Sequence, residues 1–117
     1  RYRSILTFMN DPLLASDATC CDPLRPSAAI ANATDLVAIA KALADPVRLQ
    51  IVDLLRAQGA AVCVCDLQPR FDITQPTLSH HLKRLREAGL VTVERRQQWA
   101  YYSLVPERME VLAKWLS

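Results

Sequence analysis

The sequence of 117 residues predicts a mainly α-helical fold with a small β-hairpin, arranged as a winged helix-turn-helix. Three observations predict this class. Apolar residues recur at the helical spacing i, i+3, i+4, i+7 in several segments. A short helix, a turn and a longer helix follow one another along the chain. Two alternating segments rich in β-branched and aromatic residues come next and are typical of a hairpin.

The first two helices are predicted on either side of Asp45. The apolar row of the first is Leu36, Ile39, Ala40 and Leu43, and Thr34 is its expected cap. Asp45-Pro46 then begins the second helix, because Asp is a good cap and the first helical position needs no N–H. Gln58-Gly59 is expected to end it.

The helix-turn-helix is predicted within residues 65–89. The segment CDLQPRF indicates a short helix interrupted by Pro69, and residues 71–73 form the turn. Thr74 is expected to cap a longer helix, Gln75–Ala88, and Gly89 to stop it. The inward row of this longer helix is Leu78, Leu82 and Leu85.

The segments LVTVERR and WAYYSLV are expected to pair as a hairpin with residues 95–98 at its tip. Since the tip has no Gly or Asn, a longer, mobile loop is favoured over a tight two-residue turn. Pro106 begins a final helix. The first and last helices carry apolar stripes that one small domain would cover poorly, so we expect a homodimer through these two helices.

The chain is expected to divide at residue 33. Residues 1–33 contain three prolines and lack sustained periodicity, so we interpret them as an N-terminal arm, which carries Cys20 and Cys21. Residues 34–117 are the predicted DNA-binding and dimerisation domain.

Composition is that of a soluble globular protein, with 51% apolar and 22% charged residues. The sequence contains no run of about 18 apolar residues, so no membrane span is predicted. The N-terminal segment does not resemble a secretory signal. We therefore expect a cytoplasmic protein without a membrane partner or an organic cofactor.

Charge is concentrated where a DNA-reading surface is expected. The whole chain carries only +2, yet residues 74–98 hold five basic and two acidic groups. Small polar groups suit base edges, and cations suit phosphates or guanine. Double-stranded operator DNA is the predicted partner, and the candidate contacts are Gln75, Thr77, Ser79, His80, Lys83 and Arg84 on the longer helix and Arg95 and Arg96 on the hairpin. We expect His81 to be a flanking or packed residue.

Three segments carry a resemblance to the ArsR/SmtB family of bacterial metal-sensing repressors, over roughly residues 34–116. They are KALADPVRLQIVDLL, VCVCDL, and ITQPTLSHHLKRLREAGLV followed by RRQQWAYYSL. The resemblance implies a homodimeric winged-helix repressor that binds operator DNA when metal-free and releases it when metal binds.

The CVCDL segment resembles two kinds of sensor in that family. The arsenic-sensing ArsR type implies three thiolates on one As(III), and the CadC type implies four thiolates, two from an arm, on Cd(II) or Pb(II). The third cysteine that a widely known arsenic sensor has in the same short helix is absent. The histidine and carboxylate cluster that other members carry on the last helix is also absent, which disfavours zinc, nickel or cobalt there.

Soft thiolates at Cys20, Cys21, Cys63 and Cys65 are therefore the candidate metal ligands. On a regular helix Cys63 and Cys65 would lie about 200° apart, so both can bind one ion only if Cys63 precedes the helix. A helix N-terminus is expected to lower the thiol pKa. We expect As(III), or Sb(III), on Cys20, Cys21 and the more mobile Cys63, with Cys65 a fourth ligand or a buried thiol.

Two other functions remain open at this point. Oxidation could join an arm cysteine to Cys63 or Cys65 and make the repressor redox-responsive. An enzyme is disfavoured, because Cys-X-X-Cys is missing and no local Cys–His pair is suggested.

Overall fold

A computed structural model describes Pro23 and residues 33–117. Of the predicted arm, residues 1–33, only Pro23 and Ala33 are described, so Cys20 and Cys21 lie outside the described residues. The elements are α1 (Ala33–Leu43), α2 (Pro46–Gln58), β1 (Val62–Cys63), α3 (Val64–Leu67), a 3₁₀ turn (Gln68–Arg70), α4 (Gln75–Glu87), β2 (Val91–Arg96), β3 (Trp99–Leu104) and α5 (Pro106–Leu116). None of these helices could span a lipid bilayer.

The fold is the predicted winged helix-turn-helix, mostly helical, with a small antiparallel sheet. The hairpin of β2 and β3 gains a third strand, so the sheet order is β1-β3-β2. In β1, Val62 pairs with Tyr102 and Cys63 pairs with Tyr101. Two residues are too few to show an alternating pattern, which is why the sequence did not indicate this strand.

The helix caps largely follow the sequence. Asp45 accepts hydrogen bonds from the backbone N–H of Val47 (2.8 Å) and Arg48 (3.2 Å), and Thr74 accepts one from Thr77 (3.4 Å). Gly59 ends α2 in the left-handed conformation, with φ of 65°. The cap predicted at Thr34 is wrong, because α1 already includes Ala33 and places Thr34 within its first turn; alanine favours the helix strongly enough to extend it.

The tip of the hairpin also differs from the prediction. Arg96 pairs with Trp99, so Gln97-Gln98 forms a tight two-residue turn rather than a longer loop. Gln97 supplies the positive φ, 58°, that Gly or Asn usually supplies. The left-handed conformation costs a non-glycine residue about 1–2 kcal/mol, which continuous pairing of the two six-residue strands offsets.

The core lies between α2, α4 and the sheet, with Ile39 and Ala42 of α1 packed on it. Its fully buried members include Ile51, Leu55, Leu67, Leu78, Leu82, Leu85 and Leu90.

Arg108 ties the outer helices to the end of α4. Its Nε and Nη2 donate to the carbonyl oxygen of Ala88 at 3.2 and 2.9 Å, and its Nη1 lies 3.5 Å from Asp35 Oδ1 on α1. Gly89 leaves the room for this contact, since a Cβ there would meet Arg108 Nε at 2.9 Å. The position of α4 is therefore linked directly to α1 and α5.

Candidate DNA-reading surface and cysteine site

Helix α4 presents a polar face opposite its buried leucines. Leu78, Leu82 and Leu85 are at most 1% exposed, and the hydrophobic side of the helix is thereby fixed inward. The rest of the helix surface carries five of the predicted contacts, Thr77, Ser79, His80, Lys83 and Arg84, and the sixth, Gln75, is the first residue of the helix; all six are exposed. Exposure makes these side chains available to a ligand as large as a duplex.

His81 lies at the edge of this face and is packed. Its side chain is 12% exposed and its Nδ1 lies 3.2 Å from Arg48 Nη1 and 4.0 Å from Asp45 Oδ1. The two residues hold His81 against the start of α2, as expected for a flanking residue.

The hairpin of β2 and β3 is the wing of the fold. Arg95 and Arg96 lie beside its turn, and both are exposed. Arg96 is held in place by two neighbours on one face of the sheet. Its Nη2 donates to Glu94 Oε1 at 3.1 Å, and its guanidinium lies 4.5 Å from the centre of the Tyr101 ring. Both contacts favour one orientation of the Arg96 guanidinium on the sheet.

The two described cysteines lie side by side. Cys63 is extended (φ −66°, ψ 139°) and caps α3, so it precedes the helix. Its sulfur accepts hydrogen bonds from the N–H of Cys65 at 3.4 Å and from the Cys65 thiol at 2.6 Å. The geometric condition for a shared ion, with Cys63 outside the helix, is met.

The expected environments of these two thiols are wrong in two respects. Cys63 is buried, 5% exposed, and paired in β1, so it is not the more mobile of the two. Cys65 is exposed, so the buried-thiol alternative is wrong, and its role as a fourth ligand stays a prediction. The strand pairing with Tyr101 fixes Cys63, and the first turn of α3 directs Cys65 to solvent.

The pKa expected for a thiol at a helix N-terminus is also wrong for Cys65. Its hydrogen bond to Cys63 raises the pKa of Cys65 to about 11, and desolvation and the nearby carboxylate of Asp66 act in the same direction. A proton held in a hydrogen bond is harder to lose than a free one. The short α3 does not overcome these effects.

Two thiols do not make a complete metal site. Within residues 33–117, no group of three or more His, Cys, Asp or Glu side chains is placed to hold a metal ion. The remaining predicted ligands, Cys20 and Cys21, fall outside the described residues. The structure thus brings together half of the predicted set.

Comparison with known proteins establishes the family. Residues 45–93 match the model of the bacterial regulatory protein, arsR family. The chain is 40% identical over 76 residues to an uncharacterized HTH-type transcriptional regulator of Methanocaldococcus jannaschii, covering 65% of this chain and 84% of that protein. It is 47% identical over 72 residues to the arsenical resistance operon repressor of Bacillus subtilis, covering 62% of this chain and 68% of that protein.

The chain belongs to the ArsR family. The fold agrees, since HlyU from Vibrio cholerae superposes with a TM-score of 0.61 at 30% identity, over 71% of this chain and 90% of that one. This ArsR-family protein is a DNA-binding transcriptional repressor and not an enzyme. Two features of its site were missed by the sequence patterns. The pairing of Cys63 with Tyr101 joins residues distant along the chain, and the anchoring of Arg96 on Tyr101 depends on the exact register of the hairpin.

Proposed function

We propose that this protein is an As(III)-responsive repressor, which binds operator DNA when metal-free and dissociates when arsenite or antimonite binds its cysteine thiolates. One observation carries the proposal: Cys63 caps α3 from outside the helix with its sulfur 2.6 Å from that of Cys65. Soft thiolates at the entrance of the helix-turn-helix suit a soft inducer. The arsenical resistance repressor of Bacillus subtilis, at 47% identity, supports the same class of inducer.

The proposed As(III) ligands are Cys20, Cys21 and Cys63. Cys63 is preferred to Cys65 because it lies outside the helix, at the N-cap of α3, with its sulfur beside the backbone N–H of Cys65. The hydrogen bond between the two thiols raises the pKa of Cys65 to about 11, which makes Cys65 the poorer thiolate ligand of the two. In the binding step three As–O bonds of As(OH)₃ are replaced by three As–S bonds, and the three thiol protons leave in three water molecules.

Strand pairing offers a route from the inducer to the DNA surface. Residues directly opposite in an antiparallel pair project from the same face, and Cys63 lies opposite Tyr101, which lies opposite Glu94. The Tyr101 ring in turn supports Arg96. A displacement of Cys63 by metal would disturb the anchoring of the wing cation as well as α3. Coupling requires only that the inducer bind the DNA-free form more tightly.

DNA binding in this proposal uses the exposed face of α4 together with the wing, in a homodimer. Val37 on α1 and Trp115 and Leu116 on α5 are 52%, 57% and 68% exposed. Large exposed apolar side chains on these two helices support an interface there, since apolar surface that gathers on one face marks sites of protein–protein contact. Two copies joined there would present two α4 helices, one to each half-site of the operator.

A Cd(II)- or Pb(II)-responsive repressor is the second candidate. The adjacency of Cys63 and Cys65 favours it specifically, because both sulfurs can approach one larger cation and the arm pair would complete four ligands.

Four single Cys→Ser variants test the ligand set. Thiolate–metal absorption in the ultraviolet is titrated with arsenite and, separately, with cadmium. We expect arsenite absorption to be lost in the variants at Cys20, Cys21 and Cys63 and retained at Cys65, whereas cadmium absorption falls in all four. Normal arsenite binding by both arm variants would refute a site shared between the arm and α3. Release of operator DNA by peroxide, with arsenite inert, would instead make the protein a redox sensor.

A further inference from the structure

An open cleft of about 480 Å³ lies between α1, the start of α2 and α4. Its polar lining is mainly basic and comprises Lys41, Arg48, His80, Arg84 and Glu87. Three of these are permanent cations, and the one carboxylate, Glu87, lies 3.9 Å from Arg84 at a solvent-exposed site. The Lys and Arg side chains of the lining outnumber its one carboxylate by two, three cations less one anion.

The two cations contributed from outside α4 are placed differently. Arg48 is fixed: its Nε and Nη2 donate to the carbonyl oxygens of Ala42 (2.6 Å) and Lys41 (3.4 Å), and its Nη1 lies against His81. A guanidinium has five N–H groups, so two remain for a further acceptor. The Lys41 side chain is exposed, and within residues 33–117 its ammonium has no hydrogen bond or ion pair.

The cleft continues the DNA-reading face. His80 and Arg84 belong to the exposed arc of α4 and also line the cleft. A duplex lying on that arc carries its negatively charged backbone past the cleft mouth. Phosphates are contacted mainly by Arg and Lys, and such contacts fix register rather than sequence.

We propose that Lys41, supported by the fixed guanidinium of Arg48, binds a phosphate of the operator backbone in this cleft. The DNA-binding surface then extends from α4 and the wing onto the end of α1. This inference rests on the proposed binding of operator DNA and is independent of the inducer.

The salt dependence of DNA binding tests it. The full chain first selects a duplex from a random pool, and the Kd for that duplex is measured from about 50 to about 200 mM salt. Each phosphate contact contributes about −0.9 to the slope of log K against log salt. Lys41→Gln should therefore make the slope shallower by about 0.9 and weaken binding roughly eightfold near 0.1 M salt. Lys41→Arg should restore both quantities.

Lys114→Gln is the matched control. It removes one positive charge, as Lys41→Gln does, but Lys114 is exposed on α5 and does not line the cleft. Its slope should equal that of the unchanged protein. Equal slopes for the Lys41→Gln and Lys114→Gln variants would overturn the phosphate site while leaving operator binding intact. Absence of salt-dependent duplex binding by the unchanged protein would instead overturn the proposed function.

Discussion

The backbone conformation of Cys63 decides whether the two described cysteines can act together. On a continuous helix, side chains at i and i+2 point to nearly opposite sides. Cys63 is extended instead, so its sulfur turns back over the first turn of α3 and meets Cys65. Cysteine is not a common helix cap, and the pairing with Tyr101 that holds Cys63 extended is invisible in a local pattern. The sequence therefore predicts that Cys63 must precede the helix for a shared site, but not the strand pairing that holds it there.

The protons that the thiols give up on binding predict different pH dependences for the two inducers. With the pKa at about 11, Cys65 is protonated at neutral pH, and a cation that needs its thiolate must displace the proton. Cadmium affinity should rise with pH, by about tenfold per unit for each proton released. Arsenite affinity should stay nearly constant, because its hydroxides leave as water. Titrations from about pH 6 to about pH 8 measure both.

Cys65→Ser is the control for that experiment. It should reduce the cadmium slope by about one proton and leave arsenite unchanged. A cadmium slope that does not respond to the substitution would exclude Cys65 from the cation site.

Asp45 is expected to stabilise the fold as a cap. Burial alone would raise the pKa of Asp45, but hydrogen bonds from the backbone of Arg48 and Val47, with the charges of His81 and Arg48, outweigh it and lower the pKa. Asp45→Ala should reduce the free energy of unfolding by about 1 kcal/mol. Asp53→Ala, which removes only the exposed ion pair with Arg56, should cost less. Chemical denaturation measures both.

The sign of the pH effect follows from the lowered pKa of Asp45. Its ionised form stabilises the folded protein above the ordinary value of 3.8, and this stabilisation is lost as pH falls through the lower folded value. Asp45→Asn should therefore differ from the unchanged protein less at low pH than near neutrality. A difference that grows on acidification would contradict the account.

Among the elements, the wing turn is where strand pairing imposes a backbone conformation that glutamine does not favour. Gln97 has a positive φ of 58° and Gln98 does not. Gln97→Gly should stabilise the protein by about 0.5 kcal/mol, because relief of the left-handed strain exceeds the added entropy of the unfolded chain. Gln98→Gly should destabilise it by a similar amount. Thermal melting of the pair measures the difference, and equal shifts would show that the turn is not strained at Gln97.

The elements also show which features a sequence can predict. Asp45-Pro46, Thr74 and Gly89 mark helix boundaries through local hydrogen bonds and backbone preferences, and the structure places each boundary within a residue or so. Strand β1 and the tight wing turn were not predicted. Strand β1 depends on partners about forty residues away. The turn depends on strain that the paired strands of the hairpin tolerate.

For the whole molecule, α1 and α5 connect the proposed dimer interface with α4, the helix proposed to contact DNA. Trp115→Glu should convert the dimer to monomer, because it places a charge within the exposed apolar face of α5. Trp99→Glu is a matched control, since Trp99 is also an exposed tryptophan, 42%, but lies on the wing. Sedimentation measures the mass of each. Loss of the dimer in both variants, or in neither, would place the interface elsewhere.

The link between thiols and DNA release is tested most directly by an operator titration with and without arsenite. The metal-free protein should bind a selected duplex tightly, and arsenite should weaken that binding by about 5- to 150-fold, the range of a coupling free energy of about 1–3 kcal/mol. The Cys63→Ser variant should bind the duplex equally well in both conditions. An operator affinity of the unchanged protein that arsenite leaves the same would contradict the proposed function.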